Sequence, residues 1–394
     1  MKLICALDSF GSGGAQRQLT TLAVGLKRLG HSVTFITYHR DDFFLPVLER
    51  AGIGNISLAN KTRLQRPLAF RKVLQAEQPD AVLAFLEGPS LYCELAGLPS
   101  RRWGLIVSER LQVNPRRSLS NAHRFFHYLA DYITTNSHAN SSILARLMPG
   151  LASRLVTIYN CLDLETFRPA PSKPAAGALR FVVAASYQPR KNPMGLVQAV
   201  RLALNAEPAL RLQIDWYGSF PTGPNAAGNR RHLEEVQRMS REFGIEDLLH
   251  FHDKEPEIVR RYQEADALLL PSLIEGLPNT VCEGMACGLP VLASRIGDAE
   301  VIVREGMNGF LFNPESPRDM ARAFLQFHRL GADARGQMGI TSRGIAEKLF
   351  APGAIVSAYE NLLASAAKGE RARLSDWPPA PGRASNRPNQ TVTA

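Results

Sequence analysis

Apolar strand patterns alternate with helical ones along this chain, stop at a proline-rich interruption, and then start again. Residues 2–8, 32–38, 53–58, 81–85, 103–107, 132–135 and 154–158 have the composition of short buried strands, and helical stretches separate most of them. In the first helix, Leu19, Leu22, Ala23, Leu26 and Leu29 recur at helical spacing, and Gly30 supplies the stop. Alternation of this kind implies a parallel sheet covered by helices on both faces. Residues 168–177 then form a stretch of proline and alanine that is stiff and poor in core residues. The alternation resumes with strands predicted at 179–185, 211–217, 249–251 and 267–270, and helices at 194–205, 232–243 and 257–265. An α/β protein of two domains follows: 1–168, a linker at 169–178, and 179–350. A C-terminal helix at 351–366 is placed to return to the first domain, and a disordered tail is expected over 367–394.

At 394 residues the chain exceeds one ordinary core, and its 45% hydrophobic and 21% charged residues are those of a globular protein. No apolar run reaches membrane-spanning length, and the N-terminus enters directly into a strand. Cys5, Cys93, Cys161, Cys282 and Cys287 are scattered and odd in number. They read as free thiols in a reducing compartment, so the expected location is cytoplasmic. Part of the net charge of +10 gathers in Arg101, Arg102, Arg110, Arg116, Arg117 and Arg124, opposed in sequence only by Glu109. Such a segment suits an anionic membrane face or a lipid diphosphate, with Phe125, Phe126, Tyr128 and Leu129 as apolar anchors; a solvated basic loop is the plainer alternative. Nucleic acid is not the expected partner, because no zinc-finger spacing, aromatic RNA-binding motif or basic zipper is present.

The motif richest in chemistry is the pair Glu275 and Glu283, with seven residues between them. Glu275 follows an apolar strand and precedes Gly276-Leu277-Pro278, whereas Glu283 falls early in the next helix. Two acids flanking a helix start can hold hydroxyls of one ligand while free backbone N–H groups receive its phosphates. Thr280 with Glu283 also fits a capping box, which would give Glu283 a purely structural task. Gly11-Ser12-Gly13-Gly14-Ala15-Gln16 lies between a strand and a helix, as a phosphate-cradling loop should. Gln16 stands where a dinucleotide fingerprint needs its third glycine, and the acid expected after the second strand is displaced to Asp41 or Asp42, which argues against a nicotinamide cofactor. Arg190 and Lys191 follow the first strand of the second domain and suit a diphosphate, or a solvated loop.

These pieces resemble the retaining glycosyltransferases of family 4, which have the GT-B fold of two Rossmann-like domains facing across a cleft. The matching positions are the opening glycine loop, Thr135-Asn136-Ser137, Asn160-Cys161-Leu162-Asp163, Arg190-Lys191-Asn192, Pro271-Ser272, the spaced glutamates, Gly288-Leu289-Pro290-Val291, and Gly306 with Gly309. The resemblance implies that Glu275 contacts the donor sugar, that Glu283 holds the ribose hydroxyls, and that Lys191 with Arg190 neutralises the leaving diphosphate. It also implies that Gly13 and Gly14 close over the phosphates, and that Gly276, Leu277, Asn279 and Thr280 line the donor site. The chain is similar in particular to enzymes of polysaccharide, capsule or lipopolysaccharide assembly. A nucleotide-sugar donor, UDP-linked, and a lipid-linked or saccharide acceptor are thereby implied. No cofactor and no metal are expected, since no Asp-x-Asp motif is present.

Two departures from the family pattern bear on the site. Ala185-Ser186 stands where family members commonly have Gly-Arg, so Arg190 is the substitute cation. Val107-Ser108-Glu109-Arg110 stands where many members have a histidine touching the donor sugar. Glu109 and Arg110 are candidates for that contact, with His123, His127 and His138 nearby. A nucleotide-sugar epimerase of the same fold and a non-catalytic nucleotide-sugar-binding protein are the competing readings.

Overall fold

The computed structural model describes residues 1–110, 122–171, 177–220 and 226–370. In the first half, β1 (Lys2–Ala6), β2 (Ser32–Thr37), β3 (Gly54–Ser57), β4 (Ala81–Phe85), β5 (Gly104–Glu109), β6 (Tyr132–Thr135) and β7 (Leu155–Thr157) form one sheet in the order β3-β2-β1-β4-β5-β6-β7. In the second half, β8 (Leu179–Ala184), β9 (Leu212–Tyr217), β10 (Leu249–His252), β11 (Ala267–Leu270), β12 (Val291–Ser294) and β13 (Gly309–Phe312) form another, in the order β10-β9-β8-β11-β12-β13. The strand pairings within both sheets are parallel. The central strands β4, β5 and β11 are buried at every residue, as expected where helices cover both faces. The α/β expectation of two Rossmann-like sheets therefore holds.

Each sheet reverses its strand order once, between β1 and β4 in the first domain and between β8 and β11 in the second. Ligands of open parallel sheets bind outside the carboxyl ends of the strands at such a switch point. The loops there are 7–13 after β1, 185–192 after β8 and 271–278 after β11. These are the loops that carry the glycine cradle, the Arg190-Lys191 pair and Glu275.

The chain crosses back after the second sheet. Helix Pro352–Lys368 packs on β4, β5 and helix Gly14–Arg28 of the first domain. Gly104 is required there, because a Cβ at that position would run into the backbone of Ala366 and Ala367. The expected tail begins later than 367, since this helix runs through Lys368; beyond Glu370 that expectation lies outside the described residues. Two elements were not anticipated: strand β13 and helix Ala332–Phe350, which buries Met338, Gly339, Ser342, Ile345, Ala346 and Phe350.

Candidate active site

Asn192 brings the two loops of the second domain together. It adopts a left-handed backbone (φ 62°) and caps helix Pro193–Ala206 by accepting from the Gly195 N–H. Its amide nitrogen donates to the carbonyls of Pro271 (3.1 Å) and Pro314 (2.8 Å). The Leu273 N–H also donates to the Arg190 carbonyl at 2.8 Å. Held this way, the Lys191 ammonium donates to Glu275 Oε1 in a half-buried ion pair. Arg190 is exposed, with its Nε on Gln188 Oε1 at 2.8 Å.

Beneath Glu275, Gly297 has φ 52°, and a Cβ there would collide with the carbonyls of Glu275 and Gly276. Only glycine allows this close approach without strain. The helix that follows runs Asn279–Ala286 with Pro278 as its N-cap and no side-chain cap. The capping-box alternative for Glu283 is therefore overturned: Thr280 lies inside the helix and is not its cap. Glu283 instead accepts from the buried Tyr262 hydroxyl at 2.9 Å. Burial raises its carboxyl above the ordinary range, against the Tyr262 hydroxyl and the charge of Arg17, which pull it down. Asn279 and Thr280 sit in the uncapped first turn, and Leu277 is buried behind it.

The first domain presents a second uncapped helix start. Helix Gly14–Arg28 begins at Gly13 in extended backbone, with no side-chain cap. Gly13 and Gly14 are exposed, and a Cβ on Gly13 would strike Gln16 Oε1. Gln16 is itself held by Asp8, whose Oδ1 accepts its amide at 3.0 Å. Arg17 on this helix acts on Glu283 from the opposite domain, a residue that sequence reading missed because its helical position carries no motif.

The two domains touch through polar contacts around this point. Asp298 accepts from the N–H groups of His138 (2.7 Å) and Ala139 (2.8 Å), capping helix His138–Leu147 from across the cleft. Asn160 donates to Asn279 Oδ1 at 2.8 Å, and a Cβ on Gly276 would touch Ser137 and Asn140. Thr135-Asn136-Ser137 and Asn160-Cys161 thus lie beside the loop that carries Glu275, on the first-domain side.

The end of β5 holds a buried charge network. Glu109 accepts from Arg124 twice, Nε to Oε1 at 2.7 Å and Nη2 to Oε2 at 3.0 Å. His127 bridges Glu109 Oε1 (Nε2, 2.9 Å) and Glu94 Oε1 (Nδ1, 2.6 Å). All four residues are buried. Burial would raise the Glu109 carboxyl, but hydrogen bonds from His123, His127 and Arg124 outweigh it and hold the group well below its usual range. Burial works against the His127 imidazolium too, yet its two carboxylate partners push it up to about 9. Glu94, at a buried position on helix Glu87–Ala96, was not anticipated.

This network corrects the reading of the basic segment. Arg124 is 3% exposed and committed to Glu109, so it cannot present charge to a membrane. Arg110 turns inward over the Phe85 ring at 4.0 Å and donates to Asn160 Oδ1 (2.9 Å) and the Tyr359 hydroxyl (3.2 Å). Arg101 pairs with Asp131 through both its outer nitrogens, so Glu109 is not the segment's sole counter-charge. Arg116 and Arg117 lie outside the described residues. Of the apolar anchors, Phe125 and Tyr128 are exposed. Among the described residues, no helix is long and apolar enough to cross a membrane.

Comparison with known proteins agrees with the geometry. Residues 12–166 match the family model described as Glycosyltransferase Family 4, and residues 178–329 match the one described as Glycosyl transferases group 1. A D-inositol 3-phosphate glycosyltransferase of Streptomyces bingchenggensis is 30% identical over 214 residues, 52% of this chain and 46% of that protein. One from Corynebacterium glutamicum is 30% identical over 207 residues, 49% of this chain and 48% of that protein. The chain thus spans about half the length of these curated relatives. A solved glycosyltransferase from Rickettsia africae superposes with a TM-score of 0.79 at 16% identity, over 94% of this chain and 99% of the other. HepE of Anabaena, solved in complex with UDP, gives 0.77 at 20% identity, over 93% and 100%. These structural likenesses show the fold, and the two model matches cover its two halves. The two halves of the chain match these two glycosyltransferase family models, and together they take the GT-B fold.

Proposed function

We propose that this chain transfers a hexosyl group from a UDP-linked sugar to a lipid-linked or saccharide acceptor, with retention of anomeric configuration, in assembly of cell-surface polysaccharide. The observation that carries this reading is the Lys191–Glu275 pair at the switch point of the second sheet, with Glu283 one helix turn further on and two uncapped helix starts nearby. That layout supports the reading, since cations and free backbone N–H groups suit a diphosphate and carboxylates suit sugar hydroxyls. HepE, solved with UDP and with UDP-glucose, supports the choice of base.

In the proposed step the acceptor oxygen forms a bond to the anomeric carbon as the bond from that carbon to the phosphate oxygen breaks. The acceptor proton passes to the departing phosphate on the same face. Lys191, Arg190 and the helix starts stabilise the charge that develops on the nucleoside diphosphate, a preorganised electrostatic role. Donor binding draws Lys191 toward the diphosphate and frees Glu275 for the sugar hydroxyls, while Glu283 takes the ribose. Glu109, with both oxygens committed to Arg124 and His127, holds the end of β5 in place. Since the cations are supplied by the protein, transfer needs no divalent metal.

The curated relatives are named for D-inositol 3-phosphate, so a phosphorylated polyol is a second acceptor class to test. The decisive experiment incubates the protein with a panel of nucleotide sugars, with and without candidate acceptors, and follows nucleotide release and product mass. Release that requires an acceptor supports transfer, and NMR of the product reads its anomeric configuration. Release without acceptor would make it an epimerase; no release with any pair, alongside tight nucleotide binding, would make it a binding protein. Turnover should persist in EDTA, and a loss restored by magnesium or manganese would overturn the reading of the phosphate site.

A further inference from the structure

On the far edge of the second sheet, Gln213, Asp215 and Tyr217 of β9 share one face, because Leu212, Ile214 and Trp216 fill the buried one. The neighbouring strand β10 pairs His250 with Asp215 and His252 with Tyr217, so both histidines stand on that same face. The carboxylate lies between them: His250 Nδ1 is 3.3 Å and His252 Nε2 2.9 Å from Asp215 Oδ1. The three ligating atoms lie within 4.8 Å of one another. They open into a cavity of about 500 Å³ that Lys254, Glu255 and Arg261 also line.

The hydrogen bonds around this group prepare the histidines for a cation. His250 Nε2 faces the Asp247 carbonyl at 3.1 Å, which fixes the orientation of the ring. This contact turns His250 Nδ1 toward Asp215 Oδ1 and toward the Gln213 amide nitrogen, 3.4 Å away. Gln213 donates to the other carboxylate oxygen, Oδ2, at 2.9 Å and fixes its orientation. His252 stacks on Tyr217 with ring centroids 4.6 Å apart, which sets its plane. Arg261, one of the cations lining the cavity, is already paired with Glu255 (3.1 Å) and Glu264 (3.0 Å). All three candidate ligands remain partly open to solvent, so an ion has an entry path.

We infer that Asp215, His250 and His252 bind one divalent transition-metal ion of the zinc type, with its fourth position open to the cavity. Zinc–nitrogen bonds of about 2.0–2.1 Å in a tetrahedron put ligand atoms roughly 3.3 Å apart. Two of the observed spacings, 3.3 and 2.9 Å, lie near that value, and the two histidine nitrogens, within 4.8 Å of each other, reach it by side-chain rotation. Two imidazoles and one carboxylate favour zinc and its neighbours over magnesium or calcium, which prefer oxygen. The ion would tie β10 to β9 just before helix Ile258–Glu264, whose Tyr262 holds Glu283. It lies outside the cleft and takes no part in transfer.

The test is equilibrium dialysis of the untagged full chain against zinc, with metal content measured per chain, and cobalt absorption spectra as a second readout. The expected result is one zinc ion per chain and the strong visible bands of tetrahedral cobalt. Asp215→Asn and His252→Gln should each lose both signals, and Gln213→Ala should weaken zinc affinity about 10–100-fold by freeing the carboxylate. Metal-free melts of each variant confirm that it is folded, and His252→Gln alone suffices if Asp215→Asn is not. Absence of saturable zinc binding by the wild-type chain would mean that a proton on His250 holds the group together, and would overturn the site. Undiminished zinc binding by the folded variants would place the ion elsewhere and overturn it equally.

Discussion

Replacing Glu109 by Gln should destabilise the first domain far more than a surface exchange would. Glu109 and Arg124 are each 4% or less exposed, and the amide cannot balance the guanidinium or the His127 imidazolium. Removing one partner of a buried ion pair costs about 3–5 kcal/mol, because the other charge is left uncompensated. For a domain of this size each kcal/mol shifts the melting point by about 2–4 °C, so the first-domain transition should fall by about 6–20 °C. The pH dependence gives an independent check. His127 is raised from 6.5 to about 9, so its stabilisation is complete below 6.5 and is lost as pH rises through about 9. At about 1.4 kcal/mol per pH unit, that gap is worth about 3 kcal/mol. Glu109 is lowered, so its contribution is present above the ordinary carboxylate range and is lost as pH falls. Scanning calorimetry from about pH 4 to about pH 10 should show both limbs in the wild type. In Glu109→Gln both should flatten, with only Glu94 left to hold His127. A double variant, Glu109→Gln with Arg124→Gln, should lose less than the sum of the singles. A shift under about 2 °C, the size of a neutral surface change, together with an unchanged pH profile would refute the network.

Three further outcomes are expected. Glu275→Gln should leave the melt nearly unchanged but lower turnover about a hundredfold or more, as for loss of a key electrostatic group; near wild-type turnover in the donor assay would remove Glu275 from the site. Asp298→Ala should cost about 1 kcal/mol by leaving the His138 and Ala139 N–H groups without their acceptor while the Ser137 cap on Asn140 stays in place, and hydrogen exchange should accelerate at the His138 and Ala139 amides; unchanged exchange there would show that this interdomain contact does not persist in solution. Replacing Arg116 and Arg117 with Ser should weaken salt-sensitive co-sedimentation with anionic vesicles, each cation near the surface being worth about 1 kcal/mol; Arg124 is left intact because its loss would unfold the network, and vesicle binding indifferent to the double change would end the membrane proposal.

Much of this protein is local in origin. The strand-and-helix alternation, the break after 168 and the spaced glutamates all depend on residues close in the chain, where periodicity and turn chemistry act. Short buried strands were placed to within a few residues because Ala81–Phe85 and Ala267–Leu270 are apolar throughout. Strand β13 escaped notice because four residues of Gly-Phe-Leu-Phe carry no period. Helix Ala332–Phe350 escaped because Gly336, Gly339 and Gly344 blur its pattern; Gly339 is small for a reason visible only in three dimensions, the carbonyl of Gly288 against it. Partnership was decided by tertiary structure alone. Lys191 meets Glu275 from 84 residues away, and Asp298 caps a helix 160 residues earlier. Arg124 reads as one more surface cation in a basic run, and becomes a buried counter-ion only because β5 and residues 122–129 bring Glu109 and His127 to it. Asp215, His250 and His252 likewise carry no motif; the parallel register of β9 and β10 puts them on one face. Charge type is written in the sequence, but whether a charge is solvated, paired or poised for a ligand depends on which distant strand ends the fold places beside it.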